Sequence, residues 1–173
     1  MNASCTLQLF ANGAWCDVGS VSLLGPEAQG WRSKTYTGYS VEWAIEHGGA
    51  RDAHAFACRF PVGLQAFEHP HWPVFLIDML PQGFGREELL RRLGLSVTAG
   101  ESVDWRLLLA GAGNSVGNLR VKEAASWLAA NAGPLRGFTD DEVAERGDDF
   151  AEYLASHGRL VAGSTGAQGE WLK

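Results

Sequence analysis

Hydrophobic and polar positions follow two different periods along this chain, and the change of period divides it. Between residues 6 and 23, two alternating runs flank Asn12-Gly13. That dipeptide suits a two-residue hairpin turn because both positions tolerate positive φ. The turn pairs Ala11 with Ala14, Leu9 with Cys16 and Leu7 with Val18, which predicts Leu7, Leu9, Cys16 and Val18 on one buried face. Residues 31–39 alternate well enough for a third strand, and 55–60 for a further one before Pro61. Between them, Ser40 is placed to cap a short helix through Ile45 that Gly48-Gly49 ends.

The stretch 72–95 is the centre of the pattern. Six of the seven residues from 74 to 80 are apolar, so this piece is expected to be buried almost all round. Pro73 suits a first helical position and Pro81 stops what precedes it. A short buried helix is the first reading and a core strand the second, because periodicity does not separate them at this length. After a turn at Pro81-Gln82-Gly83, residues 86–93 read as an amphipathic helix. Leu89, Leu90 and Leu93 form its inward stripe, and Glu87, Glu88, Arg91 and Arg92 are expected to face water. Gly94 stands where a helix C-terminus favours glycine.

Beyond this point the period is mostly helical. Residues 102–110 carry Trp105, Leu108 and Leu109, residues 111–117 form a turn, and 118–121 a short strand. Residues 123–131 are a helix presenting Trp127 and Leu128, and Gly133-Pro134 breaks the chain. Thr139-Asp140-Asp141-Glu142 is a capping box opening a helix to His157, with Val143, Gly147, Phe150, Ala151 and Leu154 on one face. These elements predict an α+β fold, with a sheet built from roughly the first 60 residues and covered by the central helices. Residues 1–131 form the first subdomain, 132–138 a linker, and 139–173 a helix and glycine-rich loop that begin a second subdomain.

Composition narrows the classes. With 173 residues, 46% hydrophobic and 20% charged, the chain can bury a core. A net charge of −6 disfavours direct nucleic-acid binding, which needs a basic surface. Three cysteines without a Cys-x-x-Cys pair suggest reduced thiols in a cytoplasm. No apolar run approaches membrane-spanning length and no signal peptide is evident, so a soluble cytoplasmic protein with no membrane partner is expected.

Candidate chemistry is sparse. His69-Pro70-His71 offers two imidazoles, but no carboxylate or thiol cluster nearby in sequence completes a metal site, so a turn is the better reading. Asp78 is the one charge in an apolar run and needs a partner if buried. Ser115 lacks a nucleophile-elbow context. The tryptophans are spread along the chain and read mostly as core. The segment Gly163-Ser164-Thr165-Gly166-Ala167-Gln168-Gly169 could bring backbone N–H groups close to a phosphate, although composition alone favours a plain terminal tail and the Walker ending is absent.

Three stretches, in order, resemble the N-terminal portion of HipA-type toxin kinases. They are Phe75-Leu76-Ile77-Asp78-Met79-Leu80-Pro81-Gln82-Gly83 with Arg86 and Leu93-Gly94-Leu95, then 107–119, then Gly163-Ser164-Thr165-Gly166-Ala167-Gln168. The resemblance implies a serine/threonine protein kinase, the toxin of a toxin–antitoxin pair, whose further partner is a helix-turn-helix DNA-binding antitoxin. It implies that Gly166, Ala167, Gln168 and Lys173 belong to an ATP-phosphate loop and that Ser164 or Thr165 is the autophosphorylated residue. The chain departs from the pattern at Asn114, where the family is usually acidic. Gly163 stands near the common serine position, which leaves Ser164 and Thr165 both open. Gly169-Glu170-Trp171-Leu172 lengthens the approach to Lys173.

The catalytic aspartate and metal-binding residues that a kinase needs would follow the loop. The expectation is therefore a chain with no catalytic residues and no cofactor of its own, with ATP and Mg²⁺ entering only in a complete kinase. Two readings compete: the N-terminal portion of such a kinase, or a separate regulatory, antitoxin-like module docking on a kinase core supplied in trans. A structural interaction domain unrelated to kinases is the third.

Overall fold

The computed structural model describes residues 3–97 and 100–131, together with Asp141 and Ala144. Apart from Asp141 and Ala144, the helix expected from Asp140 to His157 lies outside the described residues, as does the glycine-rich segment. The fold is α+β, a five-stranded antiparallel sheet in the order β4-β3-β2-β1-β5 with helices packed on it.

The opening hairpin forms as its turn dictates. Strands β1 (Ser4–Ala11) and β2 (Ala14–Leu23) meet at Asn12 and Gly13, whose φ values are 51° and 81°. Ala11 pairs with Ala14 and Leu9 with Cys16, but Leu7 faces Gly19 rather than Val18. A β-bulge between Leu7 and Gln8 in the pairing shifts the register by one residue. The inward positions of β2 therefore change phase, from Val18 to Val21 and Leu23, all three buried. Gly19 is required at the crossing, because a Cβ there would overlap the Gly38 carbonyl and lie 2.7 Å from the Phe56 ring.

The third strand is shorter than its pattern predicted. Residues Glu27–Arg32 form two short 3-10 pieces joined at Gly30, and β3 begins only at Thr35 and runs to Tyr39. Trp31 stays in the turn, where its carbonyl accepts the Trp72 N–H at 2.9 Å. Helix α1 (Val41–Glu46) has its Ser40 cap, the hydroxyl accepting from the Trp43 N–H.

No strand forms at 55–60. Those residues make turns, and the place beside β3 goes to β4 (Phe67–His69). Ala55, Phe56 and Phe60 are nevertheless buried, so their apolar character serves the core without a ladder. The Tyr39 hydroxyl holds this loop, accepting the Phe56 N–H at 2.9 Å and donating to the Phe60 carbonyl at 2.6 Å. Burial pushes its pKa up to about 12.

Helix α2 (Val74–Asp78) confirms the helical reading of the centre and shortens it. Pro73 is its cap rather than its first residue. The expectation of burial all round fails at both ends: Val74 is 67% exposed, and Asp78 is exposed and needs no buried partner. Helix α3 starts at Gly83, earlier than expected, and runs to Leu93. It ends in a Schellman motif: Gly94 at φ 62° donates to the Arg91 carbonyl, and Leu95 to that of Leu90 at 2.9 Å. Helix α4 (Asp104–Gly111), β5 (Leu119–Val121) and α5 (Lys122–Ala130) complete the described chain.

Neither edge of the sheet comes from the first 60 residues, which corrects the expected sheet boundary. Strand β5 returns to pair with β1, Leu7 facing Val121 and Leu9 facing Leu119. Past the end of β5, the Glu123 carboxylate accepts the Thr6 N–H at 2.9 and 3.0 Å, so a side chain completes the edge. On the inner face Leu7, Leu9, Val18, Val21 and Val121 join Trp72, Leu76, Trp105, Leu108 and Ala124 in one core. The indoles of Trp72 and Trp105 meet edge to face at 5.5 Å. On the outer face Arg120 bonds Gln8, Gln8 bonds Asp17, and Lys122 closes the row on Asp17. Lys122 first, then Gln8, holds the Asp17 carboxyl below its usual value.

Candidate functional site

Two of the stretches that carry the family resemblance fold against each other. Pro81 follows α2 and Gly111 ends α4, and a Cβ on Gly111 would reach the Pro81 ring and Leu89 at 3.0 Å. The motif glycine is thus placed where a bulky turn proline and a buried helix leucine converge.

The helices there carry two buried carboxylates. Glu88 on α3 is 7% exposed, contrary to the expectation that it faces water. Arg91 grips both of its oxygens at 2.9 and 2.7 Å, and the Nε of Arg92 donates at 2.6 Å. Burial alone would raise this carboxyl. The Arg91 and Arg92 hydrogen bonds outweigh it and hold the group below the ordinary glutamate value. Spacing explains the arrangement, since residues three and four apart share a helix face.

Asp104 is also 7% exposed, and Arg86 Nη2 donates to it at 2.9 Å. Its own N–H donates to the Ser102 hydroxyl at 3.1 Å, and the Ser102 N–H to the Ala28 carbonyl at 2.7 Å. Gly30, at φ 56°, leaves the space that Ser102 and Asp104 occupy. Each buried carboxylate is therefore paired with guanidinium groups, Glu88 within α3 and Asp104 across from α4 to α3 through Arg86.

Beside this spine the helices leave an open groove. It measures about 240 Å³ and is lined by Leu93, Leu95, Arg106, Leu109, Ala110 and Trp127. Behind it, Leu89, Leu107 and Ala110 are buried, while Leu90, Leu93, Val103, Trp127 and Leu128 pack around them only partly covered. Across Leu95 and Arg106 the groove continues into a more polar cleft of about 470 Å³ that includes Glu27, Glu101 and Ser102. Arg106 stands between the two, with 63% of its side chain exposed and Glu27 3.7 Å away.

The predicted phosphate-loop residues Gly166, Ala167, Gln168 and Lys173 and the candidate phosphoacceptors Ser164 and Thr165 lie outside the described residues. Asn114 is exposed in the turn after α4, and the Ser115 hydroxyl donates to the Ala112 carbonyl at 3.3 Å. His69 packs its ring 5.2 Å from Phe60, whereas exposed His71 has Nδ1 3.1 Å from the Trp72 carbonyl. Burial first, then His71, lowers the His69 pKa. Among the described residues no group of three or more His, Cys, Asp or Glu side chains could hold a metal ion. Among them, too, no helix is long and apolar enough to cross a membrane.

A ring cluster was missed. His47 stacks on His54 at 4.4 Å, Trp43 lies 4.2 Å from His47, and His54 Nδ1 is 2.8 Å from Asp52. The four-residue spacing of Trp43 and His47 was its one sequence signal. No protein-family model, curated protein or solved structure matches the chain.

Proposed function

We propose that this chain is the non-catalytic N-terminal portion of a HipA-like serine/threonine protein kinase, the toxin of a toxin–antitoxin system. The observation that supports it is the contact between Pro81 and Gly111: segments resembling two family motifs, distant in sequence, meet around Leu89. Their order along the chain, followed by Gly163–Gln168, supplies the remaining support. Around these segments the described residues offer packing and paired charges, the properties of a docking and scaffolding domain. In this reading Gly166, Ala167, Gln168 and Lys173 cover ATP phosphates, and Ser164 or Thr165 accepts phosphate, only once a kinase core with its Mg²⁺ is present. A helix-turn-helix antitoxin would then bind the assembled kinase in the cytoplasm. The alternative is a separate regulatory module that meets the same core in trans.

The test is phosphate transfer from radiolabelled Mg-ATP. The chain alone should take up no label. Joined through its glycine-rich segment to a HipA-type kinase core, it should be labelled at Ser164 or Thr165. Label on the isolated chain would refute the non-catalytic role, and an active fusion that leaves both residues unmodified would refute the loop assignment. Mixing the separate chain with that core distinguishes action in trans by co-elution.

A further inference from the structure

We infer that the apolar groove and the polar cleft beside it form one site for a free α-amino acid with a large apolar side chain. The site is independent of the kinase reading. Its two halves ask for opposite chemistry. The groove is walled by Leu93, Leu109, Ala110 and Trp127 and measures about 240 Å³. Pockets for drug-sized ligands begin at about 300 Å³, so the groove suits a single large side chain. The cleft of about 470 Å³ carries charge instead, from Glu27, Glu101 and Arg106. Leu95 and Arg106 line both halves. A ligand that fills both therefore keeps its apolar part on one side of Arg106 and its charged part on the other.

Charge selects the ligand. Two carboxylates in the cleft oppose a phosphate or a fatty-acid anion, and a plain amine brings nothing for the guanidinium. A zwitterion meets both signs. Arg106 Nε stands 3.7 Å from Glu27 Oε1, beyond the about 2.7–3.2 Å of an N–H···O hydrogen bond. The two charges attract each other without being joined, so a second pair of charges can enter between them. An α-ammonium set against Glu27, with Glu101 on the same cleft, and an α-carboxylate set against Arg106 replace one long contact by charge-assisted hydrogen bonds. The side chain on the same Cα then passes Arg106 into the groove. Gly94 keeps the cleft open, since a Cβ there would meet nothing within 4 Å.

The same chemistry separates a free amino acid from a peptide. A residue within a peptide carries neither terminal charge, and a chain terminus carries one of the two. Both are needed here, because one carboxylate and one guanidinium face each other across the place where the ligand enters.

Titration of the full chain with L-phenylalanine and L-leucine, followed by NMR, tests the site. Saturable shifts are expected at the Leu93, Leu95 and Leu109 amides and the Trp127 indole, with a Kd of about 1 mM or below. The indole of Trp15, which pairs with Phe10 on the sheet, should not move. N-acetyl-L-phenylalanine, L-phenylalaninamide and glycine each lack one of the three recognised groups, and each should bind at least about tenfold more weakly. Arg106→Gln should erase the preference for L-phenylalanine over its amide and keep that over the N-acetyl form. Glu27→Gln should do the reverse. Absence of saturable shifts up to about 20 mM ligand would overturn the assignment. So would an amide or N-acetyl form that binds the parent as tightly as the free amino acid. If either variant fails to fold, the analogue series on the parent chain decides.

Discussion

Gly113→Ala is the substitution that most directly probes how α4 and α5 meet. The φ of Gly113 is not positive, so its backbone conformation is open to alanine. The obstacle is the neighbour. A Cβ at Gly113 would overlap Ala125 N, Ala124 C and Ala125 Cα, all backbone atoms of α5. Such atoms cannot rotate aside, so α5 must move as a unit by on the order of 1 Å to regain ordinary carbon contacts of about 3.5–4 Å. That movement loosens Ala124 and Trp127 from the leucines of α4. Overpacking of this kind costs about 1–3 kcal/mol, and alanine recovers about 0.4–1 kcal/mol by restricting the unfolded chain. The net loss is about 1–2 kcal/mol, a fall in Tm of about 2–8 °C at this chain length. Gly111→Ala is the control. Its Cβ would press only on side-chain atoms, of Leu89 and Pro81, at 3.0 Å, and its helical position gains about 0.8–1 kcal/mol of propensity. Thermal melts followed by circular dichroism should rank Gly113→Ala clearly below Gly111→Ala. If Gly113→Ala melts at or above the parent, the helices do not approach as described.

Two further outcomes are expected. Gly13→Val should lower the unfolding free energy read from urea denaturation by about 1–2 kcal/mol from left-handed strain alone, because nothing lies within 4 Å of the added Cβ and φ is 81°; an unchanged midpoint would remove the turn assignment. Glu88→Gln should cost about 1–2 kcal/mol at neutral pH, kept low because Arg91 lies mostly in solvent. The folded pKa of Glu88 is depressed from 4.5, so its stabilisation is complete above that value and lost as pH falls through the lower folded one. Unfolding curves of parent and variant should converge in acid, and a gap independent of pH would contradict the pairing.

The hairpin was legible because a local rule and a face pattern agreed. Asn12-Gly13 sets the turn, and Leu7 and Leu9 set the face. The bulge was also written in the chain, since Cys16 and Val18 sit on even positions while Val21 and Leu23 sit on odd ones. A strict alternation carried through from Ala14 could not honour both sets. What remained illegible was partnership over distance. Residues 55–60 have the apolar content of a strand, but β3 takes Phe67–His69 instead, and nothing within 55–60 announces that choice. The last partner of β1 arrives at Leu119–Val121, more than a hundred residues later.

The same limit governs the site. Glu88 was assigned to water because charged residues favour surfaces, yet the i+3 and i+4 arginines that look like a solvated face are what allow it inside. A helical pattern lists neighbours without saying which side the tertiary contacts will cover. Leu93, Leu109 and Trp127 each sit on an inward stripe of a different helix, and every stripe on its own predicts full burial. Three stripes arranged round one buried centre cover it only where their arcs overlap, and here Leu93 and Trp127 stay only partly buried around Leu89, Leu107 and Ala110.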